Sequence, residues 1–191
     1  MAIRKIVKYG DPVLRKTCKP VAEINDDILK LIRDMFETMY DAPGIGLAAP
    51  QIGELQRVIV HDIDREDLKT GPILMANPEI IEASDEDATY EEGCLSVPEH
   101  YSDVVRPAKV TVRYLDRDGE TREMTCEGLL STCVQHEIDH LDGILFIDHI
   151  SALKRNMILR KLLKARKEAE RDDADGKPAS KPKKKESAGA I

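Results

Sequence analysis

The sequence is poor in the residues that announce special classes of protein. It has no tryptophan, two phenylalanines and four cysteines in 191 residues. No apolar run approaches the roughly 18 residues a bilayer-spanning helix needs, and the start, MAIRKIVKYGDP, lacks the apolar stretch and small-residue cleavage site of a signal peptide. A membrane partner is therefore not expected, and the expected location is the cytoplasm. In that reducing compartment Cys18, Cys94, Cys126 and Cys133 read as thiols, metal ligands or core residues, not as a disulfide framework. There are no internal repeats. With 4% aromatic and 34% charged residues, part of the chain should stay solvated. The 41% that is hydrophobic still suffices for one domain-sized core.

The net charge of -7 argues against a dedicated DNA-binding module, but it is an average over unlike parts. Residues 1–150 carry 16 Lys+Arg against 30 Asp+Glu, a net of -14, and residues 151–191 carry 13 against 6, a net of +7. Three regions are expected: a body over 1–150, a basic helix over 151–171 and a disordered polar tail over 172–191, whose composition offers almost nothing to bury.

Within the body, Ile28, Leu31, Ile32, Met35, Phe36 and Met39 recur at helical spacing after the capping candidates Asn25 and Asp26, which predicts a helix over Asn25–Asp41. Pro43 and Gly44 end it. The following GIGLAAPQIG reads as a loop whose small residues let backbone approach something closely. Arg57–Ile63 reads as a strand, and Ile73–Ile81 as one interrupted by a turn or edge position at Pro78. Val110–Leu115 and Glu120–Cys126 flank Asp118-Gly119, a hairpin signal. From Gly128 the period becomes helical again, with Leu129, Leu130, Val134 and Ile138 apolar and Gly143 a terminator.

That last helix carries His136-Glu137-Ile138-Asp139-His140. Residues four apart share a helix face, so both imidazoles can point at one metal ion, with Glu137 close enough to serve a water molecule there. Chance supplies only about 0.01 such matches at this composition. A catalytic site needs a third protein ligand and an open position. A third histidine ten residues after the first, the metzincin arrangement, is excluded because Phe146 stands there. A distant Glu or a cysteine remains. Cys133 lies on the same helix face but suits the core equally well, whereas Cys94, in Glu92-Gly93-Cys94-Leu95-Ser96, can present a thiolate from a separate segment. The GIGLAAPQ loop is a weak phosphate loop and a plausible ledge for a peptide or carbonyl, with Gln51 offering an amide donor.

GIGLAAPQ, EGCLS and HEIDH, in this order, resemble the three signature motifs of the peptide deformylase family, and the resemblance spans about residues 4–165. It implies an α+β fold: antiparallel β-sheets packed around a central helix bearing the HExxH motif, plus a C-terminal helix. It also implies an amide hydrolase that removes the formyl group from the N-terminal formyl-methionine of new polypeptides. By motif position, Cys94, His136 and His140 would bind one divalent metal, physiologically Fe2+ and replaceable by Zn2+, Ni2+ or Co2+. Glu137 would be the general acid/base for attack by a metal-activated water, and Gln51 with the backbone N–H of Leu95 would hold the oxyanion. Ile45, Tyr90, Leu129 and Cys133 would line the methionine pocket, while the Gly46 backbone pairs with the peptide. Where some members place an Arg near the pocket mouth, this chain has Tyr101. Glu92 and Arg106 are candidates for support around the metal. His61, His100 and His149 have no motif around them and read as ordinary surface or core histidines.

Continuous EGCLS and the long C-terminal helix are most similar to the Gram-negative type of the family, which implies docking on the ribosome near the tunnel exit. The basic side chains from Lys154 to Arg171 agree with contact to rRNA phosphates. Two alternatives stand beside this one: an HExxH metallopeptidase cutting internal peptide bonds, and a ribosome-associated module with a structural metal. Neither an acid/base nor an oxyanion donor is needed by the latter, which usually closes its metal with four protein ligands.

Overall fold

Asn25 caps helix α1 (Asp26–Asp41): its side-chain oxygen accepts the Ile28 N–H at 3.1 Å, and Asp26 and Asp27 place negative charge on the first turn. The computed structural model describes residues 2–63 and 71–174. The apolar stripe of α1 buries Ile28, Leu31, Ile32, Met35 and Met39. Met35 and Met39 are fully buried, each gaining about 1.5–3 kcal/mol from leaving water.

This stripe packs on one face of a five-stranded antiparallel sheet. Its strands are β1 (Gly46–Ala48), β2 (Val58–His61), β3 (Ile73–Ala83), β6 (Lys109–Leu115) and β7 (Thr121–Glu127), hydrogen-bonded in that order. Side chains alternate across a strand, so neighbours in sequence serve opposite layers. Leu47, Val58, Val60 and Ala76 join the α1 side, and Ala48, Ile59, Met75, Val110 and Val112 join the other. The second layer is covered by α2 (Gly128–Leu141), whose Val134, Ile138 and Leu141 lie in the same cluster. A separate hairpin of β4 (Asp87–Cys94) and β5 (Val97–Pro107) stands against the other flank of α2.

The fold is α+β, as expected, with informative local differences. The GIGLAAPQIG stretch, read as a loop, contributes the short strand β1 and a 3-10 turn over Ala49–Ile52. Pro78 does not end β3. Asn77 takes a left-handed conformation (φ 49°) and clasps the Val21 backbone with both ends of its amide, and the pairing of β3 with β6 shifts register there. The Asp-Gly turn between β6 and β7 forms as predicted, with Gly119 at φ 78° and Asp116 accepting the N–H groups of Asp118 and Glu120.

Helix α3 (Ala152–Ala174) follows a short 3-10 turn and runs slightly past Arg171. Ile158, Leu159 and Leu162 anchor it in a third cluster with Tyr9, Val97, Leu145, Phe146 and Cys94. The tail expected from residue 172 lies, from residue 175 on, outside the described residues. Among the described residues no helix is long and apolar enough to cross a membrane.

Candidate metal centre and active site

Helix α2 is buried almost throughout, and its polar side chains therefore need partners. Ser131 and Gln135 both donate to the Pro107 carbonyl, at 3.1 and 3.0 Å. His136, Glu137 and His140 occupy the inward face next to Cys94, which ends β4. The pairing of β4 with β5 shifts register between Gly93 and Cys94, so the thiol turns inward at the hairpin end, where the Ser96 N–H donates to it at 3.4 Å. Cys94 Sγ lies 3.3 Å from His140 Nε2, and ligand atoms of Cys94, His136 and His140 lie within 4.8 Å of one another. Cys133 is not in this group; its Sγ points to the Ile45 carbonyl at 3.9 Å.

These residues fit a divalent cation. His136 Nε2 is buried with no hydrogen-bond partner among the described residues, a costly state that a coordinate bond relieves. One sulfur and two imidazole nitrogens suit zinc, iron, cobalt or nickel better than magnesium or calcium. Without a cation, burial pushes the Cys94 thiol up to about 12, and burial together with His136 holds His140 well below the ordinary imidazole range. Metal binding and thiol deprotonation are thus coupled.

Around the ligands runs a chain of charged hydrogen bonds. His136 Nδ1 is 2.8 Å from Glu92 Oε2; Arg106 grips Glu92 through Nε at 2.6 Å and a terminal nitrogen at 3.0 Å; its other nitrogen donates to Asp139 at 2.8 Å; and His149 Nε2 meets Asp139 at 2.7 Å. Burial alone would raise the Glu92 carboxyl, but the bonds to His136 and Arg106 hold it below its usual range. An ionised Glu92 fixes the His136 tautomer with Nδ1–H outward and Nε2 free to ligate. Phe146 stacks on the same imidazole, ring centroids 6.3 Å apart.

Glu137 is fully buried, and both its carboxyl oxygens lack a partner among the described residues. Burial, reinforced by the charge of Glu92, raises its pKa well above the ordinary value, which favours a carboxyl that holds a proton. Gln51 is equally buried. Its Oε1 accepts the Ala48 N–H at 2.8 Å, which turns Nε2 toward Cys94 Sγ, at 3.5 Å, and Ser96 Oγ, at 3.4 Å. Leu95 follows Cys94 at the hairpin turn, its carbonyl held by Lys8 Nζ at 2.7 Å.

Of the expected pocket residues, Gly46 lies directly against Glu137 and Cys133, and Ile45 reaches Cys133 through its carbonyl. Tyr90, half-buried on β4, brings its hydroxyl to the start of α2 at Gly128, beside Leu129, which is 40% exposed. Tyr101 covers Gly93, its cross-strand partner, with its ring.

Sequence reasoning missed several parts. Ser96, fully buried on Cys94 and Gln51, sits inside EGCLS, and its place in the motif was the available signal. Asp139 and His149 extend the Arg106 chain, and no local pattern pairs residues 33 and 10 positions apart. His61 is a core histidine, 1% exposed, while His100 and His149 lie nearer the surface.

A buried HExxH helix that carries an unpartnered carboxyl, together with a thiol from a second segment, has the make-up of a mononuclear metallohydrolase. Within that class, residues 3–156 match the family described as polypeptide deformylase. Peptide deformylase of Mesorhizobium japonicum is 53% identical over 177 residues, covering 93% of this chain and 98% of that protein. The corresponding enzyme of Rhodopseudomonas palustris is 57% identical over 169 residues, covering 87% and 97%. Among solved structures, a peptide deformylase from Legionella pneumophila superposes with a TM-score of 0.81 at 51% identity, covering 89% of this chain and 99% of that one. That of Ehrlichia chaffeensis in complex with actinonin gives 0.82 at 38%, covering 86% and 98%. The chain belongs to the polypeptide deformylase family. It is a metal-dependent enzyme that removes the N-formyl group from nascent peptides.

Proposed function

We propose that residues 1–150 form the catalytic body for hydrolysis of N-terminal formyl-methionine, with Cys94, His136 and His140 as metal ligands. The observation that carries this assignment is the convergence of three ligand atoms within 4.8 Å beside the unpartnered carboxyl of Glu137. When bound, a divalent ion supplies Lewis acidity and a water of lowered pKa. Fe2+ is the expected physiological ion, with Zn2+, Ni2+ or Co2+ as replacements.

Glu137 takes a proton from the attacking water as its oxygen bonds to the formyl carbon. Gln51 Nε2 and the Leu95 N–H donate to the carbonyl oxygen as it gains negative charge. Glu137 then returns its proton to the amine nitrogen as the C–N bond breaks, leaving formate and a free N-terminus. Ile45, Tyr90, Leu129 and Cys133 receive the methionine side chain, and the Gly46 backbone pairs with the peptide.

The basic helix carries the enzyme to its substrate. Arg160, Lys164, Lys167 and Arg171 line one exposed face of α3, while Ile158 and Leu162 hold the opposite side to the body. Lys164 shares this face with Glu168, 3.8 Å away, and the face as a whole keeps an excess of cations for rRNA phosphates near the tunnel exit, in the cytoplasm.

Anaerobically purified enzyme with its metal quantified should release formate from formyl-Met-Ala and leave an unformylated peptide of the same length intact. Cleavage of internal bonds in the latter would favour the metallopeptidase alternative, and inactivity with one full equivalent of metal would favour a structural site.

A further inference from the structure

His61 is a buried polar side chain of the central sheet that the mechanism does not use. The register of β1 and β2 sets it opposite Gly46, and that of β2 and β3 sets it opposite Ile73. Directly opposed residues share a face of the sheet, with β-carbons about 5 Å apart. Gly46 identifies the face: a β-carbon there would lie 2.5 Å from Glu137 Oε1 and 2.9 Å from Cys133 Sγ. His61 therefore projects to the α2 side, in the row next to Ala48, Ile59 and Met75, all of which pack with Val134 and Ile138. Gly46 gives its row no side chain, so the imidazole is the only polar side chain of Gly46–His61–Ile73.

One of its two ring nitrogens is left unsatisfied. His61 is 1% exposed, and Nε2 has no hydrogen-bond partner among the described residues. Asp62 projects from the opposite face, where it accepts the Tyr40 hydroxyl at 2.7 Å. A buried donor or acceptor left unpaired is destabilising, and valine or isoleucine would fill a central strand without that cost. Burial lowers the imidazole to about 4, so it is uncharged at neutral pH and compatible with an apolar side chain beside it.

We infer that His61 is a specificity-determining residue: its Nε2–H gives the floor of the side-chain pocket one hydrogen-bond donor, aimed at the thioether sulfur of methionine. This rests on the pocket assignment made above for Ile45 and Cys133. Thioether sulfur is a weak acceptor, so the effect is modest, and it falls on the choice between side chains, not on the chemical step.

The test uses the metal-loaded full chain and two substrates, formyl-Met-Ala and formyl-norleucyl-Ala, which differ by sulfur against methylene. The wild type should favour methionine in kcat/KM by roughly three- to ten-fold. His61→Leu should bring that ratio to about one, chiefly through KM for the methionine substrate, and His61→Gln, which keeps an N–H donor, should restore part of it. An unchanged ratio in His61→Leu overturns the proposal. So does a wild-type ratio of one, which needs no variant to fold. Failure of the wild type to hydrolyse either substrate would refute the deformylase assignment instead.

Discussion

Gly46 and Glu137 touch across the junction of sheet and helix: a β-carbon on Gly46 would lie 2.5 Å from Glu137 Oε1 and 3.1 Å from its carboxyl carbon. The backbone of β1 is thereby one wall around the carboxyl proposed as acid/base, and that fully buried group has nowhere to retreat.

Gly46→Ala should therefore displace the carboxyl. Overpacking of this kind costs about 1–3 kcal/mol, and misplacing a catalytic group by about 1 Å can cost on the order of a hundred-fold in rate. The expected result is a lowered melting temperature and a kcat reduced ten- to a hundred-fold, roughly, with metal content unchanged because no ligand is altered. Normal turnover would show that Glu137 does not need this wall.

Glu137→Gln removes the proposed proton carrier and keeps the shape. It also removes a buried group whose charging is opposed by desolvation and by Glu92, so the variant should be at least as stable as the wild type. Turnover of formyl-Met-Ala should fall by about 10²–10⁴, with one metal per chain retained. Parallel metal analysis, thermal melts and steady-state kinetics separate these effects.

Arg106 meets the proposed ligand His136 only through Glu92. With its side chain 6% exposed and that of Glu92 fully buried, Arg106→Met strands a buried carboxylate. Breaking such a pair costs about 3–5 kcal/mol. His136 then loses its fixed orientation, and metal affinity should fall roughly 10–100-fold in competition with a chelator. Adding Glu92→Gln should recover part of the stability, since that carboxylate is then no longer stranded and Asp139 keeps His149 as a partner, but not the metal affinity.

These contacts show where sequence patterns stop being informative. The α1 stripe, the Asp-Gly hairpin and the HEIDH helix each arise from spacings within about a dozen residues, so their outcome could be read directly. The β4–β5 hairpin was not read as strands. Its exposed and half-buried positions carry Asp87, Tyr90, Glu91, Glu99 and Asp103, and its apolar side faces α2 and the residues after it, not a sheet partner. GIGLAAPQ looked like a loop because β1 needs small residues against Glu137, and smallness suppresses the usual strand signal. The face that His61 takes depends on the register between β1 and β2, which no local pattern encodes. The candidate metal ligands are legible because their motifs are short, and Glu92 and Arg106 are legible beside them as candidates for support, which their contact with His136 bears out; the extension to Asp139 and His149 is not, because these residues meet only when three elements pack together.

A second ion pair makes stability depend on acid. Arg15 donates to Asp148, which also accepts the Leu145 N–H at 2.9 Å. Burial alone would raise the Asp148 carboxyl, but these bonds hold it below its usual value. A carboxyl depressed in the folded state stabilises the fold above its unfolded pKa of about 3.9, and that stability is lost as pH falls through the folded value. Arg15 is 41% exposed, so solvent screening limits the gain to about 1 kcal/mol or less. Asp148→Asn should lower the melting temperature at pH 7, and the difference from wild type should shrink as pH falls below the ordinary carboxylate range and through the folded value.

Hydrolysis and the proposed docking on the ribosome should separate by charge. Arg160, Lys164, Lys167 and Arg171 lie on α3, and none of them belongs to the Cys94–His136–His140 centre. Replacing all four with glutamine keeps good helix formers and the anchoring Ile158 and Leu162, so the body should melt as the wild type does. Hydrolysis of a short formyl peptide should be unchanged. Co-sedimentation with ribosomes should fall, and its dependence on salt should flatten, because a helix that neutralises fewer phosphates releases fewer counterions on binding. A variant that still binds ribosomes with the wild-type salt dependence would place the ribosome-binding surface elsewhere on the chain.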